Sequence, residues 1–400
     1  MISTQTLRPD GSILYQVGYD EETRLFLMEP PMLPAIPEHP TRRDAEKALA
    51  LLEGLLAEFP FASEVSRSVA LSAILTTVCR GVAKVVPMHV STAPTAGTGK
   101  SYLWDIVSMI ATGQCCPVTA MPNSADELEK RIDGSLLEGS PIICIDNVNG
   151  ELSGDKLCQA IERPVVEVRR LGASEKQKID NRATFLATGN NIILRGDLNR
   201  RALLVSLDAK MARPELKQFH ANPIKTVADN RGLYIAAALT IVRAYIVAGR
   251  PGCPSPLASF EQWSDNIRSS IIWLDLPDPL ESMVSAREED PDFIVRRELF
   301  GAILSAYPNG ATAKMMLAYE ALAPGRFHDL HDSIMEHLAT KGANPSEVLG
   351  KWLRSNKGQI VNIENGDFVL DGSEKATGAV VKWRIRSLEQ EAGVVSPYVV

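Results

Sequence analysis

Four hundred residues, 45% apolar and 23% charged, suffice for two or three domains with sizeable cores. A net charge of −7 excludes a wholly basic nucleic-acid coat protein, so any nucleic-acid contact must rest on local basic patches. The cysteines at 79, 115, 116, 144, 158 and 253 form no C-x-x-C pair, which predicts reduced thiols in a cytoplasmic protein and no disulfide framework. No secretory leader opens the sequence, and no uncharged apolar run predicts a membrane span.

In chain order, residues 1–40 read as a β-rich or irregular lead-in that ends in a proline-dense stretch. Residues 41–56 form an amphipathic helix whose Leu51, Leu52, Leu55 and Leu56 are expected to pack on a second helix over 64–82, capped by Ser63. An α/β alternation follows: strand 85–90, helix 102–111 closed by Gly113, a short strand 117–120, and a helix opened by a Ser124/Glu127 capping box. Strand 141–145, helix 155–162, a hairpin over 165–179 and strand 183–188 complete a mainly parallel sheet with its site at the carboxyl ends of the strands. Residues 222–249 are helical, with Asn230 as a cap, and a breaker-rich joint spans 251–256. A basic helix over 346–357, carrying Lys351, Arg354 and Lys357, precedes strands near 359–370 and 379–386. That order predicts a small winged-helix domain.

Between the first strand and its helix lies Pro94-Thr95-Ala96-Gly97-Thr98-Gly99-Lys100-Ser101. This is the context of a phosphate-binding loop, with Tyr102 next to it. Loop N–H groups and the positive helix end cradle phosphates, Lys100 reaches the β- and γ-phosphates of ATP, and Ser101 ligates Mg²⁺. Pro94 replaces the usual first glycine; it has a fixed φ and no N–H to donate.

Three further stretches fit the same site. Ile142-Ile143-Cys144-Ile145-Asp146-Asn147 is a buried strand ending in a carboxylate that can hold Mg²⁺ through water. Asn147 stands where a water-polarising glutamate is usual, and Glu151 substitutes only if the turn folds back. Asn190, after Ala187-Thr188-Gly189, is placed to bond the γ-phosphate or the attacking water. Arg200 or Arg201 is placed to reach a neighbouring subunit's nucleotide, although pairing with Asp197 explains them equally.

These four pieces in this order resemble the AAA+ ATPases over roughly residues 80–210. The hairpin narrows the resemblance. From 163 to 182 it carries six Lys/Arg (163, 169, 170, 176, 178, 182) against three acids (167, 175, 180). A basic hairpin in this position looks like those of the superfamily-3 and minichromosome-maintenance helicases. The resemblance implies a homo-hexameric ring with nucleotide between subunits and hairpins gripping single-stranded or forked DNA. Arg169, Arg170, Lys176 and Lys178 would be the DNA contacts.

The Asp197-Leu198-Asn199-Arg200-Arg201 stretch is similar to phage and mobile-element replication helicases. That implies a primase or other replication partner and a bacterial host cytoplasm. A solvated hairpin, a protein-remodelling ATPase and a nucleotide-binding scaffold with weak turnover remain open readings. The expected domains are a β/linker and helical region (1–83), an AAA+ core (84–215), a helical lid and linker (216–290), and a helical, winged-helix-like domain (291–400).

Overall fold

Two prolines set the position of the central strand. Pro87 cannot donate to a ladder, so the strand starts after it and runs Met88–Ala93, stopping before Pro94. That is three residues later than the apolar run 85–90 suggests. All six of its residues are buried.

The computed structural model describes residues 1–169, 176–211, 213–216, 220–318, 326–338, 344–363, 366–373 and 381–388. They form two units, Met1–Arg287 and Glu288–Val400.

The first unit is built on a five-stranded, wholly parallel sheet. In spatial order its strands are Ala202–Ser206, Met88–Ala93, Thr184–Leu194, Ile142–Leu152 and Val118–Ala120. Helices Glu64–Val78 and Lys100–Thr112 pack on it. The fold is α/β, with the parallel sheet and loop-to-helix connection of a P-loop NTPase core. The strand that follows the basic hairpin lies between the loop strand and the Asp146 strand. This insertion brings Asn190 into register with Ala93, the last strand residue before the loop.

Strands Ile142–Leu152 and Thr184–Leu194 are each eleven residues long, twice the expected length. Ala120 pairs with Asp146 and Ala93 with Asn190, so both long strands overshoot their other neighbours. Beyond that level they pair with each other through register shifts. Asn147 and Asn191 sit in this zone with φ of 58° and 45°, left-handed values that asparagine tolerates better than most residues.

The helix expected over 41–56 forms as Arg42–Leu56, with a complete Thr41/Asp44 capping box. It packs mainly on Arg231–Val247 and only lightly on Glu64–Val78. The reason is that Arg231–Val247 is buried nearly all round and needs cover on every side. Leu52, Leu55 and Leu56 are buried as expected, whereas Leu51 is 40% exposed.

The second long helix ends at Val78 and gives way to a 3₁₀ turn, Arg80–Val82. Ser124 caps its helix through the Glu127 N–H, but Glu127 turns its carboxylate to Lys130 and Arg131 and leaves the box unreciprocated. Asn230 lies between helices Pro223–Asp229 and Arg231–Val247; its amide donates back to the Thr226 carbonyl in the last turn of the first and does not cap the second by side chain.

The second unit packs helices Pro291–Ala306, Ala313–Leu317, Arg326–Leu338 and Pro345–Ser355 with a four-stranded antiparallel sheet. Leu299, Phe300, Leu349, Leu353 and Trp383 centre its core. The run 359–370 is two strands, Ile360–Ile363 and Gly366–Gly372, and Lys382–Ser387 is the third. In this unit the four helices precede the antiparallel ribbon of three strands. All six cysteines are free, and among the described residues no helix is long and apolar enough to cross a membrane.

Candidate functional site: a phosphate loop beside two strand tips

The loop from Pro94 to Gly99 turns the chain from strand to helix through two left-handed glycines, Gly97 (φ 78°) and Gly99 (φ 96°). Gly97 has no room for a side chain, because a Cβ there would lie 3.0 Å from the backbone nitrogen of Glu215. Lys100 is buried, and its ammonium donates to the Thr95 carbonyl at 3.0 Å and to Thr98 Oγ1 at 3.3 Å. Burial pulls the ammonium below its ordinary pKa, and the Asp146 charge opposes that shift. A cation drawn back onto its own loop carbonyl is poised to exchange that partner for a phosphate oxygen.

An aromatic wall flanks the loop. Phe59 stacks on Tyr102 (centroids 6.2 Å apart, planes at 26°) and lies 5.9 Å from Phe61. The Tyr102 hydroxyl donates to Asn222 Oδ1 at 3.3 Å. Glu58 accepts the N–H groups of His220 and Ala221, at 2.9 and 3.1 Å, which ties that segment to the wall.

Across the loop, Asp146 sits at the level where its neighbouring strand ends. Ser101 Oγ is 3.4 Å from Asp146 Oδ1. Thr188, on the adjacent strand and 2% exposed, donates its hydroxyl to the same oxygen and accepts the Asn147 N–H at 3.4 Å. A serine hydroxyl and a carboxylate in this arrangement fit an octahedral Mg²⁺ that keeps most of its waters. Asn190 Oδ1 is shielded from solvent and has no hydrogen-bond partner among the described residues. An orphaned acceptor beside a phosphate loop suits a group that accepts a hydrogen bond from water and so orients it.

Asn147 is exposed, and its left-handed backbone begins the overshooting part of the strand. Glu151 does not fold back toward Asp146. The strand continues through it, in register with Ile193, and its carboxylate pairs with Arg195 at 2.9 Å. The ladder to the neighbouring long strand outweighs any local turn at Gly150.

The basic hairpin comprises Val165–Arg169 and Lys176–Asp180, antiparallel, with Arg169 opposite Lys176. Its tip, including Arg170, lies outside the described residues. Val166 and Val168 are buried, whereas Lys176 and Lys178 are exposed and share Glu167 at 3.5 and 4.0 Å. Two residues that sequence reasoning passed over fix its root. Asp133 accepts the Arg169 N–H at 3.0 Å, and Lys156 bonds both Asp133, at 2.8 Å, and the Glu167 carbonyl, at 2.7 Å. The overlooked signal was a carboxylate on the apolar face of the helix carrying Leu128, Ile132 and Leu136.

The two arginines separate clearly. Arg201 is buried and pairs with Glu162 at 2.5 Å and with Asp197. Its guanidinium braces the start of strand Ala202–Ser206 and is not presented at the surface. Arg200 is about half exposed; it pairs with Asp197 and reaches Glu162 at 3.9 Å. Arg201 and Ser259 hold the Glu162 carboxyl below the usual range, with Ser259 the larger influence.

The chain matches no protein-family model and no curated protein. Among solved structures it is similar to the apo A form of the NrS-1 C-terminal region, at 12% identity and a TM-score of 0.38, over 95% of this chain and 84% of that one. It is similar to the active helicase Cch of SCCmec type IV at 13% identity and a TM-score of 0.33, over 97% and 77% of the two chains. The JCV helicase bound to a thiazolopyridine ligand matches at 12% identity and a TM-score of 0.24, over 62% and 73%.

Proposed function

We propose that this chain is an ATP- and Mg²⁺-dependent NTPase of the AAA+ class that acts as a DNA helicase or translocase in a homo-hexameric ring. The reading belongs to the pre-sensor hairpin group of phage and mobile-element replication proteins, acting in a host cytoplasm beside a primase or similar partner. One observation carries it: Lys100, Ser101, Asp146 and Asn190, whose Oδ1 has no partner among the described residues, converge at the level where the loop strand ends and the two long parallel strands run on past it.

In this reading the loop residues 94–101 and Tyr102 hold the nucleotide, with the base against the Phe59 side. Ser101 and Asp146 hold Mg²⁺, which when bound neutralises charge on the transferring phosphoryl group. Asn190 and Asn147 orient the attacking water, and Arg200 of a neighbouring subunit complements the charge. Its exposure supports Arg200 over Arg201 for that role. Exposed Lys176 and Lys178, with Arg169 and Arg170, grip single-stranded or forked DNA.

The expected outcome is that Lys100→Ala removes ATP hydrolysis while far-UV circular dichroism stays unchanged. Lys176→Ala combined with Lys178→Ala keeps most basal ATPase and loses strand separation. Full unwinding by that double variant would remove the hairpin from the mechanism. Absence of stimulation by single-stranded DNA would favour a protein remodeller.

A second reading, a nucleotide-binding scaffold with weak turnover, draws on one observation: Glu151 is engaged by Arg195. Multiple-turnover phosphate release that Lys100→Ala abolishes would exclude it.

A further inference from the structure

The long strands pass the phosphate loop at Asp146 and Asn190, and their amino ends open onto a separate cavity of about 240 Å³. Pro141, Ile142 and Arg182 border it from the strand side, and Arg80 borders it from the 3₁₀ turn after helix Glu64–Val78. Both guanidiniums converge on one bend of the chain. Arg80 donates to the Ala83 carbonyl at 2.5 Å and the Lys84 carbonyl at 3.2 Å, and Arg182 reaches the same Ala83 carbonyl at 3.4 Å.

Neither arginine has a carboxylate partner among the described residues. Asp180, the nearby acid that acts on Arg182, is engaged by Arg24 at 3.0 Å. Arg80 is 5% exposed, and its Nε is shielded from water with no hydrogen-bond partner among the described residues. Burial, and after it the like charge of Arg182, pushes Arg80 down to about 9. A buried cation beside a half-buried one, with only Asp180 nearby and that acid already engaged by Arg24, is costly, and an anion between the two arginines would relieve both the repulsion and the orphaned donor.

We propose that this cavity binds a small organic phosphate, its oxyanion held between Arg80 and Arg182. Planar guanidiniums match the geometry of phosphate oxygens and bond them in pairs. The remaining wall is largely apolar, with Ile2, Met28, Val78 and Ile142. It offers an uncharged body more contact than it offers a bare ion. The site shares no residue with the phosphate loop, so it does not depend on the nucleotide reading.

The test is a crystal soaked in sodium tungstate, with the anomalous map read at both places. A peak between Arg80 and Arg182 is expected, and it disappears in Arg182→Met. No peak in the cavity overturns the proposal, whether or not the phosphate loop is occupied. A cavity peak with an empty loop keeps this site and counts against the nucleotide reading.

In solution, calorimetric titration of the Lys100→Ala protein with phenyl phosphate, a background that removes the phosphate loop as a competing site, should show binding that Arg182→Met weakens tenfold or more. Arg182 is only partly buried, so that variant keeps the fold. In that background, binding that survives Arg182→Met at full strength, or no binding at all, overturns the assignment.

Discussion

Thr188 is a positioning residue that no motif singles out. Its hydroxyl joins the Asp146 carboxylate to the Asn147 backbone, and so ties the strand that carries Asp146 to the strand that carries Asn190. Thr188→Val keeps the shape and removes the bond. The expected result is a roughly tenfold higher Mg²⁺ requirement for phosphate release, the scale of one lost hydrogen bond to a charged group. Thr188→Ser should restore the wild-type Mg²⁺ dependence; a merely steric role would leave that dependence unmoved.

The arginine pair gives a second contrast. Arg201→Met strands the Glu162 charge at a largely buried site and is expected to cost about 3 kcal/mol in urea unfolding at constant slope. Arg200→Ala, at an exposed pair, should stay within about 0.5 kcal/mol and act on turnover in the assembled protein alone.

His89 is fully buried against Ser72 Oγ, at 2.9 Å, and burial lowers its pKa from 6.5 to about 3. The folded state therefore holds the imidazole neutral, while the unfolded chain takes up a proton below pH 6.5. This contribution to stability is complete above pH 6.5 and declines as the pH falls toward 3. In His89→Gln the loss of stability between pH 6.5 and pH 5, measured by denaturant titration, should become shallower.

At the scale of elements, the phosphate-loop helix and its strand were legible because both ends carry strong local signals. Gly97 and Gly99 open the helix and Gly113 closes it at φ 79°, as expected from glycine alone. The strand bearing Asp146 was legible only as far as its apolar run. Its continuation sets buried Val148 and Leu152 between exposed Asn147, Asn149 and Glu151, a pattern that Gly150 and the two asparagines disguise as a turn, and it forms because a partner strand of equal length supplies the hydrogen bonds. The same holds for 189–194, which reads as a turn in isolation. The hairpin was legible in its strands and charge, but its anchorage was not. Lys156 and Asp133 lie 11 and 36 residues from their backbone partners in the hairpin, and no local pattern links them. Asp133→Asn should loosen the hairpin root and speed amide exchange at Arg169, which hydrogen-exchange mass spectrometry would read, with slower exchange than wild type counting against the anchor.

Over the whole molecule, two hydrophobic clusters lie in separate units, one centred on the parallel sheet and one on Phe300, Leu349 and Trp383. Separate cores predict two calorimetric transitions. Mg²⁺–ATP should raise only the transition of the unit that holds Lys100, because ligand stabilises the state that binds it. A single transition that moves as a whole would argue against independent units.

The sequence by itself determined the chemistry available: a Gly-Lys-Ser loop after a strand, an aspartate after an apolar run, and a basic hairpin before another such run. Those are local properties, fixed by propensity, capping and spacing. Tertiary structure alone decided which groups meet. It set the Thr188 bond to Asp146, turned Glu151 to Arg195, buried Arg201 on Glu162, and faced Arg80 with Arg182. Each of these contacts depends on parallel pairing or packing between segments 39 to 102 residues apart, where register and burial override anything a short window of residues can encode.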